Sequence, residues 1–133
     1  MRFVLNQLAT LSDIQIRHAF RLALFICVLA IAYLAFAPPS QAPGTPFDKL
    51  NHIIAFAVLA WLADKAYPEC PAKHRWAFLL GYGLAIELIQ GFLPYREPSL
   101  VDFAADAIGI LCYDAFQRLR GSTRNLKATI SRR

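Results

Sequence analysis

The sequence predicts an all-α membrane protein: a bundle of four transmembrane helices with both termini in the cytoplasm. Three observations support this prediction: an apolar composition, four separate apolar segments, and loops that alternate between rich and poor in Lys and Arg. Of the 133 residues, 57% are hydrophobic and 17% are charged, whereas soluble domains average about 45 to 50% apolar and 25% charged residues. The composition therefore disfavours an ordinary soluble domain.

The first apolar segment, 22–37, contains no charged residue and with its flanks approaches the ~20 residues that span ~30 Å of hydrocarbon. Residues 1–21 mix apolar and charged side chains, which fits a short helix lying in the membrane interface. A cleaved signal peptide is the alternative, because Arg17 and Arg21 precede the segment and Ala35-Phe36-Ala37 offers a small-x-small site. The long leader, and the need of later segments for a packing partner, favour a retained helix.

Three further segments, 48–67, 76–94 and 99–116, are weaker candidates for membrane spans. A Pro-rich stretch over 38–46 separates them from the first segment and cannot continue a helix. Each carries charged residues in addition to its apolar ones, and short apolar segments also occur as buried helices of soluble bundles. Hydrophobicity alone does not decide between these two interpretations.

The placement of Lys and Arg favours the membrane interpretation. Three of these residues precede the first span, three lie between the second and third spans, and six follow the fourth, while Lys49 and Arg96 alone fall on the other side. Short loops rich in Lys and Arg stay in the cytoplasm. We therefore expect a multi-pass membrane domain over 22–116, followed by a basic cytoplasmic tail, 117–133, that contacts anionic lipid.

Polar residues of the last three segments fall in one layer near the outer ends of the predicted spans. They form pairs at helical spacing, so that each pair shares one helix face: Asp48 and His52, Glu87 and Gln90, Asp102 and Asp106. At 1.5 Å per residue, all of them lie within about 10 Å of the outer surface. Because a charged residue inside a membrane costs about 2.5 to 3.5 kcal/mol, several together indicate mutual pairing or a site.

These residues also have structural interpretations. Asp48 and Asp102 can cap the N termini of helices. Glu87 and Gln90 can form interhelical hydrogen bonds, worth about 0.6 kcal/mol each. Arg96 lies in a short Pro-flanked turn and is the hardest to explain structurally, so we expect it to meet a carboxylate or a ligand phosphate.

Four short motifs follow one another between residues 48 and 109: Asp48-Lys49-x-x-His52, Glu87-x-x-Gln90, Pro94-x-Arg96-x-x-Ser99 and Asp102-x-x-x-Asp106-x-x-Gly109. In this order they resemble the signature of the VanZ-like family of bacterial integral membrane proteins. Two positions depart from the family pattern, which typically has Asn in place of Asp106 and often Gly in place of Cys112. The resemblance implies a bacterial cytoplasmic (inner) membrane protein, and the family's namesake contributes to resistance to teicoplanin, an antibiotic that acts on lipid-linked cell-wall precursors.

Three classes of function stay open. The first is recognition of an anionic amphiphile, such as a lipid-linked envelope precursor, whose phosphate or carboxylate Lys49 and Arg96 would hold. The second is an intramembrane hydrolase or phosphotransferase with His52, Glu87 and Asp102 as acid–base candidates. The third is a structural or interaction subunit in which the polar residues only clamp the helices. The candidate ligand-binding residues are Asp48, Lys49, His52, Glu87, Gln90, Arg96, Ser99, Asp102 and Asp106.

No cofactor, metal or nucleic-acid partner is predicted. The three cysteines, Cys27, Cys70 and Cys112, have no paired spacing typical of disulfides or zinc sites, and are expected to be free or buried thiols. A mixed nitrogen and oxygen metal site would have one histidine, His52, among carboxylates, which is weak support. The net charge of +5 comes without the motifs of nucleic-acid binding.

Overall fold

In the computed structural model the chain forms four α-helices. The structure describes residues 2–38 and 48–130, and the side chains of 13–38 and 49–122. The helices are α1 (Arg2–Phe36), α2 (Asp48–Ala66), α3 (Ala72–Gln90) and α4 (Leu100–Ile130). No strand occurs within the described residues. The prediction of an all-α fold with four helices is confirmed.

Two helices are longer than the predicted spans. α1 begins at Arg2, so that 1–21, expected to form a separate interfacial segment, continues into the apolar helix from residue 2 onward without a break. α4 extends to Ile130, so most of the predicted tail is helical. Neither extension contains a proline, the residue that would stop a helix most strongly. The predicted Pro-rich stretch, 38–46, lies outside the described residues apart from Pro38.

Local sequence explains where α3 and α4 begin. Pro71 precedes α3 with φ of −56°, close to the φ that the proline ring imposes. Ser99 precedes α4, and its Oγ accepts the backbone N–H of Asp102 at 3.2 Å. Ser99 is thus the side-chain cap of α4, and Asp102, for which capping was one interpretation, lies in the first turn of the helix.

Consecutive helices run antiparallel. Arg21, near the middle of α1, donates from Nε to the carbonyl oxygen of Ala66 at the end of α2, at 3.2 Å. Tyr82 of α3 donates its hydroxyl to the carbonyl oxygen of Val28 of α1 at 2.6 Å. The last turn of α1, the first turn of α2, the last turn of α3 and the first turn of α4 therefore lie at one end of the bundle, here called the site end.

The central helix of the bundle is α2, which contacts each of the other three helices. It supplies most of the buried apolar side chains, and single residues of the other helices complete the core. The core residues are Leu24, Phe56, Leu59, Ala60, Leu62, Ala63, Ala66, Leu79 and Ile110. Because Leu24 belongs to this core, α1 is an integral part of the bundle, which the retained-helix interpretation requires.

The closest helix crossing joins α2 and α4 at Gly109. A methyl group on Gly109 would collide with the carbonyl oxygen of Ile53 and lie 3.1 Å from the backbone nitrogen of Ala57. One turn earlier, Ala105 is also buried. Small residues at this spacing let two helix backbones approach closely. Of all helix pairs, α2 and α4 consequently have the most extensive contact.

Large apolar side chains cover the outside of all four helices. They include Phe25, Leu29, Tyr33, Ile54, Val58, Trp61, Phe78, Leu84, Leu88, Ile108, Leu111 and Phe116, each at least 40% exposed. Three polar side chains, Glu87, Gln90 and Asp106, are buried instead. This arrangement reverses the usual preference of soluble proteins, in which charged residues are almost never fully buried.

By length and composition, one helix among the described residues could cross a membrane, namely the stretch Asp13–Phe36 of α1. The helices α2 and α3 have 19 residues each, a length of about 28 Å at 1.5 Å per residue. Both helices carry charged residues near their two ends, and α4 carries charged residues in its first half. The structure thus confirms four helices. The length and composition of the helices do not by themselves show four membrane spans.

The Gly109→Ala variant should be less stable than the wild type. The added methyl group has no room between α2 and α4, and overpacking of this kind typically costs about 1 to 3 kcal/mol. Thermal unfolding in a mild detergent would measure the change. Gly81→Ala is the matched control, because nothing lies within 4 Å of a methyl group placed there. Equal melting temperatures for the two variants would contradict the close crossing.

Candidate functional site

A histidine and an aspartate form the centre of the polar cluster at the site end. His52 Nδ1 lies 2.8 Å from Asp106 Oδ1, a hydrogen bond between α2 and α4. The Asp106 side chain is 2% exposed and that of His52 is 23% exposed. The Nδ1 edge of the imidazole ring is therefore bonded to a buried carboxyl group, which fixes the orientation of the ring.

Space for the Asp106 carboxyl group comes from a glycine on α3. A methyl group on Gly83 would lie 2.6 Å from Asp106 Oδ2 and 3.2 Å from the ring of Phe56. Gly83 thus lets α3 approach the carboxyl group that α4 presents to α2.

Glu87 joins α3 to the start of α4. Its Oε2 accepts the backbone N–H of Ser99 at 2.6 Å, a charge-assisted type of bond that is stronger than one between neutral groups. The Glu87 residue is 6% exposed, and its second oxygen, Oε1, is buried without a hydrogen-bond partner among the described residues. One oxygen of the carboxyl group is therefore hydrogen-bonded within the described part of the protein, and the other is not.

Asp102 lies in the first turn of α4, next to the point that Glu87 contacts. Its Oδ1 is 3.8 Å from Lys49 Nζ, and this oxygen is also buried without a hydrogen-bond partner in the described part of the chain. Glu87 interacts electrostatically with Asp102, Asp106 and His52. These four residues, with Lys49 at the edge, are called the site cluster below.

Two other predicted site residues, and Tyr95, face the end of α1. Gln90 Nε2 donates to the carbonyl oxygen of Ala35 at 3.0 Å, and Tyr95 donates its hydroxyl to that of Phe36 at 3.0 Å. Arg96 Nη2 donates to the carbonyl oxygens of Ala37, at 3.0 Å, and of Leu34, at 3.3 Å. Together they satisfy the last carbonyl groups of α1, which have no partner within the helix.

The structure therefore divides the predicted site residues into two groups. It brings His52, Glu87, Asp102, Asp106 and Lys49 together, with Ser99 bonded to Glu87 and to Asp102. Gln90 and Arg96 form part of the cap on α1, although Arg96 Nε is buried without a partner among the described residues. Asp48 is the first residue of α2, and its side chain lies outside the described ones. A ligand-binding role for each residue stays a prediction.

No group of three or more His, Cys, Asp or Glu residues in the described ranges is placed to hold a metal ion. Cys27, Cys70 and Cys112 are free thiols.

Sequence reasoning missed a second polar network at the opposite end of the bundle. Asp64 accepts hydrogen bonds from Arg75 Nη2 at 2.8 Å, from the Tyr113 hydroxyl at 2.9 Å and from Gln117 Nε2 at 3.3 Å. These groups, with Trp76 and others, line a cavity of about 110 Å³. The opposite charges of Asp64 and Arg75 on either side of one loop were the available signal, while Tyr113 and Gln117 offered none.

Comparison with known proteins assigns no function. No protein-family model matches the chain, and no solved structure matches it. Over 93 residues the chain is 34% identical to an uncharacterized protein of Schizosaccharomyces pombe. The aligned region covers 66% of this chain and 56% of the yeast protein, so the chain spans little more than half the length of that relative.

Replacing Asp106 should disturb His52 specifically. In Asp106→Ala the imidazole loses this hydrogen bond, and one hydrogen bond typically contributes about 0.5 to 1.5 kcal/mol. Asp106→Asn should lose less, because an amide can serve either tautomer of the ring. Nitrogen-15 NMR of the histidine rings would report the change at His52, with the exposed His74 as the internal control. Unchanged His52 signals in the Asp106→Ala variant would contradict the hydrogen bond.

Proposed function

We propose that this protein is a multi-pass membrane protein whose four helices all cross the bilayer. The support is the inverted distribution of side chains: apolar residues on the outside of every helix and buried Glu87, Gln90 and Asp106 inside. Large exposed apolar patches are rare on soluble monomers, whereas polar residues inside membranes face the interior of the bundle. At about 28 Å, α2 and α3 approach the ~30 Å thickness of the hydrocarbon core.

The distribution of positive charge supports an orientation for the bundle. Among the described side chains, Lys49 and Arg96 are the cations of the site end, while Lys65, Lys73 and Arg75 belong to the opposite end. The positive-inside rule then places the opposite end in the cytoplasm and the site end on the outer face.

We further propose membership of the VanZ-like family. The support is that its four motifs, which are far apart in the sequence, meet at the site end through the bonds of His52 with Asp106 and of Glu87 with Ser99. The bacterial cytoplasmic membrane is the location that this resemblance implies. Similarity to a yeast protein indicates that related sequences also occur outside bacteria.

The function that the geometry supports best is recognition of the polar head of an amphiphile at the outer leaflet. One observation carries it: two carboxyl oxygens of the site cluster, on Glu87 and Asp102, are buried without hydrogen-bond partners, while most polar groups around them are paired. Lys49, with its side chain 62% exposed, supplies positive charge at the edge for an anionic group of that amphiphile, such as a lipid-linked envelope precursor.

A second candidate function, acid–base catalysis on the same amphiphile, is favoured by the bond between His52 and Asp106. A histidine oriented by a carboxylate is the usual arrangement of a general base, and Glu87 would be the general acid. The third interpretation, a purely structural cluster, accounts for the cap on α1 and leaves the two unpaired carboxyl oxygens without a role.

The proposed topology predicts opposite accessibility for the two ends. With Cys27 and Cys112 replaced by Ser, Cys70 between α2 and α3 should react with a membrane-impermeant maleimide only in inverted vesicles. A Glu97→Cys variant without the native cysteines should react only in intact cells. Labelling of both positions from the same side would overturn the four-span arrangement.

Recognition of an anionic head predicts that Lys49→Gln lowers the amount of anionic lipid that co-purifies with the protein. A basic residue at a membrane surface contributes about 1 kcal/mol, so the expected loss is about fivefold. Mass spectrometry of the extracted lipids measures it, and Lys49→Arg, which keeps the positive charge, is the matched control. Arg96→Ala should instead lower the melting temperature, because α1 loses donors to its last carbonyl groups.

Three results are distinguishable in that experiment. Retention that depends on Lys49 supports recognition. Lipid fragments that disappear in a folded His52→Asn variant indicate catalysis. The same bulk lipids in every variant, with changes only in melting temperature, leave the structural interpretation and contradict the proposed function.

A further inference from the structure

We infer that the head group recognised by the site cluster carries a protonated primary amine, held between Glu87 and Asp102, in addition to the anionic group at Lys49. This inference rests on the proposed function and specifies the chemistry of the ligand for that same site. A phosphate followed by a short linker and a primary ammonium, as in an ethanolamine phospholipid, has this chemistry.

One oxygen of the Glu87 carboxyl group accepts no hydrogen bond from the described residues. Oε2 of Glu87 is used by Ser99, whereas Oε1 is buried without a partner in the described part of the chain, on a residue that is 6% exposed. Leaving a charged buried acceptor unpaired is costly. A ligand that approaches Oε1 must therefore present a hydrogen-bond donor.

The second acceptor has the same requirement and lies at the same helix start. Asp102 Oδ1 is buried without a hydrogen-bond partner, because Lys49 Nζ approaches it only to 3.8 Å. Ser99 links the two residues, since its N–H binds Glu87 and its Oγ accepts the N–H of Asp102. Glu87 and Asp102 also interact electrostatically. The two acceptors thus belong to residues joined at one helix start, and we expect one donor group to reach both.

The charge of the site cluster selects the kind of donor. Glu87, Asp102 and Asp106 contribute three carboxyl groups, while Lys49 and the titratable His52 supply the positive charge. With all three carboxyl groups ionised, negative charge is in excess even when His52 is protonated, and a cation is then favoured over a neutral hydroxyl group. An ammonium group offers three N–H donors and forms charge-assisted bonds with carboxylates.

Lys49 fixes the direction in which such a head group would lie. Its ammonium group is at the exposed edge and 3.8 Å from Asp102, too close for a ligand to lie between them. We expect the Lys49 side chain, which is 62% exposed, to turn outward when a ligand binds, so that the charges then alternate from the edge inward: Lys49, ligand anion, ligand ammonium, then the two carboxylates. This order matches a zwitterionic head whose anionic group is nearer to the edge. A quaternary ammonium has the same charge and no N–H group, and is therefore predicted to bind more weakly.

Native mass spectrometry in an equimolar mixture of ethanolamine, choline and glycerol phospholipids with the same acyl chains tests this inference. The wild type should bind the ethanolamine lipid about tenfold more than either competitor, the effect of one charge-assisted hydrogen bond. Glu87→Gln and Asp102→Asn should each abolish this preference. Asp114→Asn, which removes a carboxylate paired with Arg118 away from the site, should retain it. Melting temperatures identify any variant that fails to fold.

The alternative results separate the inference from the proposed function. Equal or stronger binding of the glycerol lipid, lost in Lys49→Gln, would overturn the amine and keep recognition of an anionic head. Binding without any preference that depends on these residues would overturn both. Displacement of the ethanolamine lipid by free phosphoethanolamine at similar concentration would keep the amine and assign it to a soluble ligand.

Discussion

Close contact between α2 and α4 is the constraint on which the site depends. Gly109 lets the backbone of α4 lie against that of α2 between Ile53 and Ala57. Asp106 is one turn away on the same face of α4, and His52 is next to Ile53, so the distance between the two backbones determines whether their side chains can form a 2.8 Å hydrogen bond. The close packing of α2 against α4 therefore determines the geometry of the hydrogen bond between His52 and Asp106.

Polar side chains of this protein are used in two different ways. Several donate to backbone carbonyl groups at helix ends: Arg96 to α1, Arg21 to the end of α2, and Arg75 to Tyr67 and Cys70 in the following loop. Carbonyl groups at the end of a helix have no partner within it, so these basic residues complete the helices. Glu87 and Asp102 differ, because each keeps a buried oxygen that the fold leaves unused.

The four apolar segments were sufficient to predict four helices. Helical spacing of the polar residues was sufficient to predict that those of the last three helices meet at one end. It was insufficient for Arg96, because the groups that this side chain binds are backbone carbonyls, which leave no trace in a pattern of residue types. The network of Asp64, Arg75, Tyr113 and Gln117 was also missed, since its members come from three helices and only Tyr113 and Gln117, four apart on α4, share helical spacing. Pairing of His52 with Asp106 rather than with Glu87 or Asp102 depends on helix rotation and approach, which spacing along the chain does not specify.

The cap on α1 has a consequence for the order in which the protein is assembled. The helix is made first, but the groups that bind its last carbonyls, Gln90, Tyr95 and Arg96, are synthesised more than fifty residues later. Until the turn between α3 and α4 has been synthesised, the last carbonyl groups of α1 lack these side-chain donors. The end of α1 is therefore completed only after that turn is made, and the site cluster, which includes residues beyond the turn, can form only at the same late stage.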